Sequence, residues 1–193
     1  TFELSDHFYR NNGNGTFSDV TLEAGILDYG VTLGVIAGDI NQDGWPDLYI
    51  AKDQQEPDIL FLNQRDGTFR NVIHEAVKHT CDSSMGIDLA DFNNDGLLDI
   101  VVADMMPEGN YRQKTQLSVM DPRKFWTRVS HGYHYQYTRN VLQVNNGNGT
   151  FSEIALMAGV AATDWSWTPL LADFDNDGLK DLFVTSGVKR DLE

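Results

Sequence analysis

Near its carboxyl end the chain reads Asp173-Phe174-Asp175-Asn176-Asp177-Gly178-Leu179-Lys180-Asp181. The same order of Asp, Asn or Asp, Asp, Gly and Asp at positions 1, 3, 5, 6 and 9 recurs at residues 39–47 and 91–99. We call these segments acidic loops one, two and three in chain order. Three copies of one acidic pattern indicate an internal repeat, and the rest of the chain is assigned relative to these copies.

A second pattern, Asn-x-x-x-Gly-Thr-Phe, precedes each acidic loop at residues 11–17, 63–69 and 145–151. We call it the turn motif. Twenty-three residues separate its threonine from the first aspartate of the next acidic loop in all three copies. Because this interval is constant, the two patterns belong to one repeating structural unit.

Between the two patterns apolar residues alternate with polar ones, which predicts short strands rather than helices. Strand A enters the acidic loop, strand B leaves it, strand C enters the turn motif and strand D follows it. Acidic loops one and two are 52 residues apart, and four-stranded units at such a period are typical of β-propeller blades. We therefore predict an all-β propeller, with an all-β sandwich as the alternative.

The chain starts with strands C and D and stops after strands A and B. This phase predicts a half-blade at residues 1–20, blades at 31–73 and 83–155, and a half-blade at 166–187. Closed propellers need about four to eight blades, so we expect a segment of a larger, seven- or eight-bladed propeller. The unpaired half-blades also predict self-association through their exposed strand edges.

Acidic loops two and three are 82 residues apart, because residues 104–139 form an insertion between strands B and C. The insertion contains six basic and three acidic residues and is rich in aromatic side chains. Its composition differs sharply from the rest of the chain, so it is a candidate contact surface at the rim.

Net charge is −15, with 29 acidic and 14 basic residues. Such a charge argues against nucleic acid or an anionic membrane surface as partner and favours small cations. No apolar run is long enough for a membrane helix, so we expect no membrane insertion of this segment. The single cysteine excludes a disulfide framework within the chain.

The acidic loops present oxygen ligands at alternate positions, an arrangement suited to up to three Ca²⁺ ions. Side chains at positions 1, 3, 5 and 9 and the backbone carbonyl at position 7 are the predicted ligands. They are Asp39, Asn41, Asp43, Trp45 and Asp47; Asp91, Asn93, Asp95, Leu97 and Asp99; and Asp173, Asp175, Asp177, Leu179 and Asp181.

Two other metal sites are excluded by the sequence. An EF-hand needs Glu at position 12, where this chain has Ile50, Val102 and Val184. Zinc needs clustered His or Cys side chains, and the five histidines form no such spacing with Cys81.

The acidic loops resemble the FG-GAP or VCBS repeats of integrin α-subunit propellers. Several short segments are also similar to the secreted bacterial relatives of cartilage acidic protein: Asn11 to Phe17, Ser83-Ser84-Met85-Gly86, Tyr111-Arg112, Tyr135-Gln136-Tyr137 and Asp164-Trp165-Ser166-Trp167. This resemblance implies a calcium-stabilised, secreted or cell-surface propeller. The integrin-type Asp-x-Ser-x-Ser metal site is absent from the sequence, so integrin-like ligand binding is not carried over.

These observations favour a non-enzymatic binding or adhesion scaffold with a protein or glycan ligand of unknown identity. The alternative is a propeller-type polysaccharide lyase or another glycan-active enzyme, which would use Tyr133, His134 and Tyr135 as acid and base. Alternation along a strand would place His134 on the face opposite its tyrosine neighbours, which weakens the alternative.

Overall fold

The computed structural model describes residues 5–53, 56–116 and 121–187. These residues form mainly short antiparallel strands, and two of the sheets have four strands each. The all-β prediction is confirmed. Residues 1–4 of the first predicted half-blade, 54–55 of the first blade and 117–120 of the insertion lie outside the described residues, as do residues 188–193.

The amino-terminal half contains a hairpin followed by one sheet. The hairpin pairs β1 (Tyr9–Asn11) with β2 (Phe17–Asp19). The sheet has its strands in chain order: β3 (Val31–Gly38), β4 (Asp47–Asp53), β5 (Ile59–Asn63) and β6 (Phe69–Asn71). Acidic loop one connects β3 to β4, and the second turn motif connects β5 to β6. Strands A to D of the sequence pattern therefore correspond to β3 to β6.

A short linker of α1 (Ile73–Ala76) and β7 (Thr80–Cys81) leads into the second half. The remaining elements are β8 (Gly86–Ala90), β9 (Asp99–Ala103), β10 (Met105–Met106), α2 (Asn110–Gln116), α3 (Pro122–Ser130), β11 (Gln136–Tyr137), β12 (Val141–Asn145), β13 (Phe151–Glu153), α4 (Ala155–Ala158), β14 (Asp164–Ala172) and β15 (Asp181–Ser186). Strands β8, β9, β12 and β13 form the second four-stranded sheet, and β14 and β15 pair in the last sheet.

The insertion differs from the strand-only reading of the sequence, because it contains helices α2 and α3. Asp121 caps α3 by accepting a hydrogen bond from the backbone N–H of Arg123, and Pro122 occupies the first turn. Both are ordinary signals for the start of a helix. The insertion is also tied to the sheets on two sides, since β10 pairs with β14 and β11 pairs in parallel with β7.

The sheets pack face to face through three apolar clusters. One joins the first hairpin to the first four-stranded sheet and contains Phe8, Ile50 and Phe61. A larger one lies between the two four-stranded sheets, and a third lies between the second of these and β14–β15. Each interior sheet is therefore buried on both faces, and the hydrophobic effect holds neighbouring sheets together.

The innermost strands approach one another closely, which requires glycine. A Cβ atom on Gly86 of β8 would lie 2.3 Å from the carbonyl oxygen of Trp167 in β14. Gly34 of β3 lies against Ile87 and Gly86 from the other side. Strands β3, β8 and β14 thus lie side by side and place the three acidic loops at neighbouring positions.

Candidate metal loops

Position 1 of each acidic loop organises the turn by accepting two backbone hydrogen bonds. In loop one, Oδ1 of Asp39 accepts from the N–H of Asp43 and Oδ2 accepts from Gly44, both at 2.9 Å. Asp91 and Asp173 make the equivalent pairs in loops two and three. The three loops share one conformation because the same side-chain contacts are repeated in each of them.

Positions 3 and 5 bring two more side-chain oxygens to each turn. The oxygen at position 3 accepts from the N–H of position 5 at 3.1 Å in all three copies. The carboxylate at position 5 accepts from the N–H of position 7, which is Trp45, Leu97 or Leu179. These hydrogen bonds fix the backbone of the residues whose carbonyl oxygens are the predicted ligands at position 7.

Position 9 ties the acidic loop to the turn motif of the same sheet. Asp47 and Asp99 are completely buried. Oδ1 of Asp47 accepts from the N–H of Asn63 at 2.9 Å, and Oδ1 of Asp99 accepts from Asn145 at 2.8 Å. Desolvation raises the pKa of both carboxyls, and the backbone hydrogen bonds partly offset this rise. Position 9 is thus a structural tether as well as a predicted ligand.

Position 4 connects successive loops, a contact that the sequence analysis did not anticipate. The side-chain amide of Gln42 donates to the carbonyl oxygen of Gly96, and that of Asn94 donates to Gly178 at 2.9 Å. Gln42, Asn94 and Asn176 all have positive φ, near 60°, which Asn tolerates better than most residues. The sequence signal for this contact is a side-chain amide at position 4 of one acidic loop together with the glycine at position 6 of the next loop.

In loop one, an arginine of the neighbouring turn motif pairs with a predicted calcium ligand, where it would compete with the ion. The guanidinium of Arg65 lies 3.0 Å from Oδ2 of Asp43. Desolvation acts to raise the pKa of Asp43, but hydrogen bonds from Arg65, Trp45 and Asn41 outweigh it, and the pKa is lowered. The other turn motifs have Gly13 and Gly147 at this position, so only loop one has such a contact among the described residues.

Loop three has the largest number of carboxylates, four against three in each of the other loops. Carboxylate oxygens of Asp173, Asp175 and Asp177 lie within 4.8 Å of one another. Loops one and two have Asn41 and Asn93 at the middle position, and each amide donates to the carboxylate at position 5. Three hard oxygen ligands at this spacing fit Ca²⁺ by donor type and distance, so the residues of loop three are chemically suited to the predicted ion.

The structure does not assemble the acid and base of the alternative enzyme. Tyr133 donates its hydroxyl hydrogen to Glu56, and His134 is buried with Nε2 3.1 Å from the carbonyl oxygen of Val77. Burial lowers the pKa of His134 to about 4, and His74 adds repulsion. The expected strand through Tyr133, His134 and Tyr135 was also wrong, because extended pairing there is confined to β11, which is Gln136–Tyr137.

The insertion presents basic and aromatic side chains on α3. Phe125 packs inward, with its ring stacked 6.1 Å from that of Tyr135 and 5.6 Å from that of Tyr137. Trp126 is 60% exposed, and the side chain of Arg123 is almost fully exposed. Helix α3 is fixed to the sheets through Arg128, which pairs with Asp82 at 2.8 Å. The exposed face of α3 is thus held in a defined position.

None of the helices in the described part of the chain is long and apolar enough to span a membrane. The described elements therefore give no candidate transmembrane helix.

Comparison with known proteins relates the repeats to one family and one named protein. The profile of a family described as FG-GAP-like repeat matches residues 3–50, 39–102 and 129–184. Cartilage acidic protein 1 of Xenopus tropicalis is 30% identical over 171 residues, which are 88% of this chain and 22% of that protein. The mouse protein of the same name is 34% identical over 108 residues, 55% of this chain and 16% of that protein. The chain spans about a fifth of the length of these relatives.

Proposed function

The chain belongs to the FG-GAP-like repeat family, and we propose that it is part of a calcium-stabilised extracellular scaffold that binds a protein or glycan ligand. In this proposal the four-stranded sheets are blades, the terminal strand pairs are half-blades, and each acidic loop holds one Ca²⁺ ion. The proposed units are the half-blade at 1–20, blades at 31–73 and 83–155, and the half-blade at 166–187. They would form part of a seven- or eight-bladed propeller.

The observation that carries the calcium proposal is the group of three carboxylates in loop three. Asp173, Asp175 and Asp177 place their oxygens within 4.8 Å of one another, where like charges repel unless a cation lies between them. A bound Ca²⁺ would supply the positive charge that offsets this repulsion. Asp173 and Asp177 would then fix the connection between β14 and β15, as the backbone hydrogen bonds to these side chains already begin to do.

Calorimetric titration with CaCl₂ tests this proposal. Asp177→Ala should reduce affinity more than Asp43→Ala or Asp95→Ala, because loop three has one carboxylate more than the others. Extracellular modules bind Ca²⁺ at about 0.1 to 1 mM, and a site at 100 times its dissociation constant adds roughly 2.7 kcal/mol of stability. Equal heats for all variants, and no change of melting temperature in excess chelator, would mean that the loops are only turns.

The proposed calcium affinity is consistent with an extracellular location. Sites with dissociation constants of about 0.1 to 1 mM would fill outside the cell and stay empty at cytosolic calcium levels. The relatives carry the name cartilage acidic protein, and the acidic character of this chain agrees with it. Secretion of the full-length protein, followed by cell fractionation with and without chelator, is the direct measurement.

We place the ligand-binding surface on the insertion at residues 104–139, with Arg123 and Trp126 of α3 as contact residues. Deleting the insertion is not a clean test, because Asp104 is completely buried and accepts backbone hydrogen bonds from Asp82 and Ser83. The better test compares Arg123→Ala and Trp126→Ala with a distant exposed aromatic variant, Tyr29→Ala, on glycan and matrix-protein arrays. Loss of binding only in the α3 variants supports this surface, and equal binding by all three variants excludes it.

A further inference from the structure

Two Asn-Gly pairs stand side by side in the third turn motif, Asn146-Gly147 and Asn148-Gly149. All four residues are exposed. The sheet that carries them, β8–β9–β12–β13, packs against a neighbouring sheet on each face, so the exposure belongs to the turn itself. An asparagine amide before glycine is open to attack by the next backbone nitrogen, because glycine has no side chain to hinder ring closure. The two pairs share this intrinsic reactivity, and their hydrogen bonds decide how far it is expressed.

Hydrogen bonds hold the first pair, Asn146-Gly147, at three atoms. The backbone N–H of Gly147 donates to Oδ1 of Asn145 at 3.0 Å. Nδ2 of Asn146 donates to the hydroxyl oxygen of Thr150 at 3.1 Å. Its Oδ1 accepts from the hydroxyl of Ser152 at 2.9 Å. Attack by the Gly147 nitrogen on the Asn146 amide would have to break these bonds first.

The second pair, Asn148-Gly149, has the opposite arrangement. Oδ1 of Asn148 accepts two hydrogen bonds from Thr150, one from its hydroxyl at 2.6 Å and one from its backbone N–H at 3.1 Å. Such donors stabilise negative charge that develops on the oxygen when Cγ is attacked. Neither Nδ2 of Asn148 nor the N–H of Gly149 has a hydrogen-bond partner among the described residues. The nucleophile and the leaving group are therefore free, and the carbon between them is activated.

The same turn keeps the reacting atoms close together. The hydrogen bond from the N–H of Thr150 to Oδ1 of Asn148 closes a ring of side-chain and backbone atoms. This ring contains both Cγ of Asn148 and the backbone nitrogen of Gly149. Groups that are held near one another in this way react faster than groups that must first find each other.

The first turn motif repeats the contrast. Thr16 donates to Oδ1 of Asn14 from its hydroxyl and from its N–H. In the preceding pair the N–H of Gly13 donates to Asn11, and Nδ2 of Asn12 donates to the hydroxyl of Thr16. Because all these contacts lie within one turn, the turn itself sets the difference between the two pairs.

The second turn motif shows that a carboxylate fits at the reactive position. Asp66 stands there, and it accepts from the hydroxyl of Thr68 at 2.6 Å and from its N–H at 2.9 Å. These two hydrogen bonds hold the pKa of Asp66 below its usual value. An aspartate formed from Asn148 would therefore keep the hydrogen bonds of the turn. An isoaspartate would instead lengthen the backbone of the turn by one methylene group.

We propose that Asn148 is a site of spontaneous deamidation, with Asn14 as its equivalent in the first turn motif. The backbone nitrogen of Gly149 gives its proton to a base in solvent and bonds to Cγ of Asn148. The bond from Cγ to Nδ2 breaks, and the amide nitrogen leaves as ammonia with a proton from water. One water then opens the succinimide ring. Cleavage between the ring nitrogen and Cγ gives aspartate, and cleavage between the ring nitrogen and the backbone carbonyl carbon gives isoaspartate.

Peptide mapping by mass spectrometry, after incubation of the folded chain in H₂¹⁸O at neutral pH, tests this proposal. Heavy oxygen marks only products formed during the incubation, and fragmentation separates the two asparagines of one peptide. Asn148 should react at least about 10-fold faster than Asn146, which must first lose its hydrogen bonds. In the guanidinium-unfolded chain the two rates should become similar. Equal rates in the folded chain, or faster reaction at Asn146, overturn the proposal.

Two hydroxyl variants test the role of the hydrogen bonds. Thr150→Val removes the group that donates to Asn148 and accepts from Asn146. Reaction at Asn148 should therefore slow, and reaction at Asn146 should accelerate, each by about 3- to 10-fold. Ser152→Ala is the matched control, because it releases Asn146 alone and should leave the rate at Asn148 unchanged. Acceleration of both asparagines in Thr150→Val, together with no effect of Ser152→Ala, would contradict control by these contacts.

Discussion

Arg65 is the residue that makes loop one unlike the other two. Its guanidinium neutralises Asp43, and it adopts φ 67° where the other turn motifs have glycine. Arg65→Gly should therefore tighten calcium binding at loop one up to about 5-fold, because the guanidinium would no longer compete with Ca²⁺ for the Asp43 carboxylate. Titration in an Asp95→Ala, Asp177→Ala background isolates this loop. Arg65→Lys retains the charge and should leave the affinity low; an equal gain from Lys would show that the positive charge at this position is not the cause.

Asp104 links the insertion to the second sheet and makes stability depend on pH. Desolvation raises the pKa of this carboxyl from 3.8 to about 7, although backbone hydrogen bonds from Met105, Ser83 and Asp82 oppose the rise. A raised folded-state pKa stabilises the fold fully below about pH 3.8, and this contribution is lost as the pH rises through about 7.

The expected result is a pH-dependent gap between the parent and Asp104→Asn. Only the parent must bury a carboxylate at position 104, so its advantage in unfolding free energy should shrink by on the order of 4 kcal/mol between about pH 4 and pH 8. Urea unfolding in excess chelator measures it. His134 titrates with the opposite sign, but it is present in both proteins and cancels in the difference. A gap independent of pH would contradict the assignment.

At the scale of single elements, the approach of β8 to β14 depends on one missing side chain. Gly86→Ala would place a Cβ atom 2.3 Å from the carbonyl oxygen of Trp167 and 3.1 Å from Cα of Thr168. Because both contacts are backbone atoms, the backbone of β8 or β14 has to move. We expect a loss of about 1 to 3 kcal/mol in urea unfolding. A Cβ atom on Gly109 would meet no atom of the described residues within 4 Å beyond its chain neighbours, so Gly109→Ala should change stability by less than about 0.5 kcal/mol. Equal effects would mean that β14 adjusts freely.

The elements that repeat were predictable, and those that occur once were not. Period-2 alternation and the three acidic loops predicted strands A to D, because each copy supports the assignment of the others. Helix α3 has no second copy in the chain. Its helix-start signals, Asp121 and Pro122, lie in a segment that was recognised as an insertion only from the spacing of the acidic loops. The parallel pairing of β11 with β7 depends on contacts between residues 55 or more apart in the chain, which local patterns do not encode. The Asp43–Arg65 contact was missed for the same reason.

For the molecule as a whole, the net charge is −15, with 29 acidic residues against 14 basic ones. Self-repulsion destabilises the compact state, and salt screens it. Melting temperature in excess chelator should therefore rise between about 0.02 and 0.3 M NaCl. In saturating calcium the rise should be smaller, because the loop charges are already neutralised. A falling melting temperature would mean that ion pairs such as Arg128–Asp82 outweigh the repulsion.

The constant interval of 23 residues bears on how such a gene lengthens during evolution. The interval starts at a turn motif and ends at the acidic loop after β3, β8 or β14, so it spans the junction between two sheets. The segment between strands B and C varies instead, which accounts for 82 residues rather than 52 between successive loops. A duplicated stretch that begins at a turn motif inherits a complete sheet-to-sheet contact. A new copy would therefore contain the residues that pack it against its neighbour. Mutations in the variable segment could then change the surface without disturbing that packing.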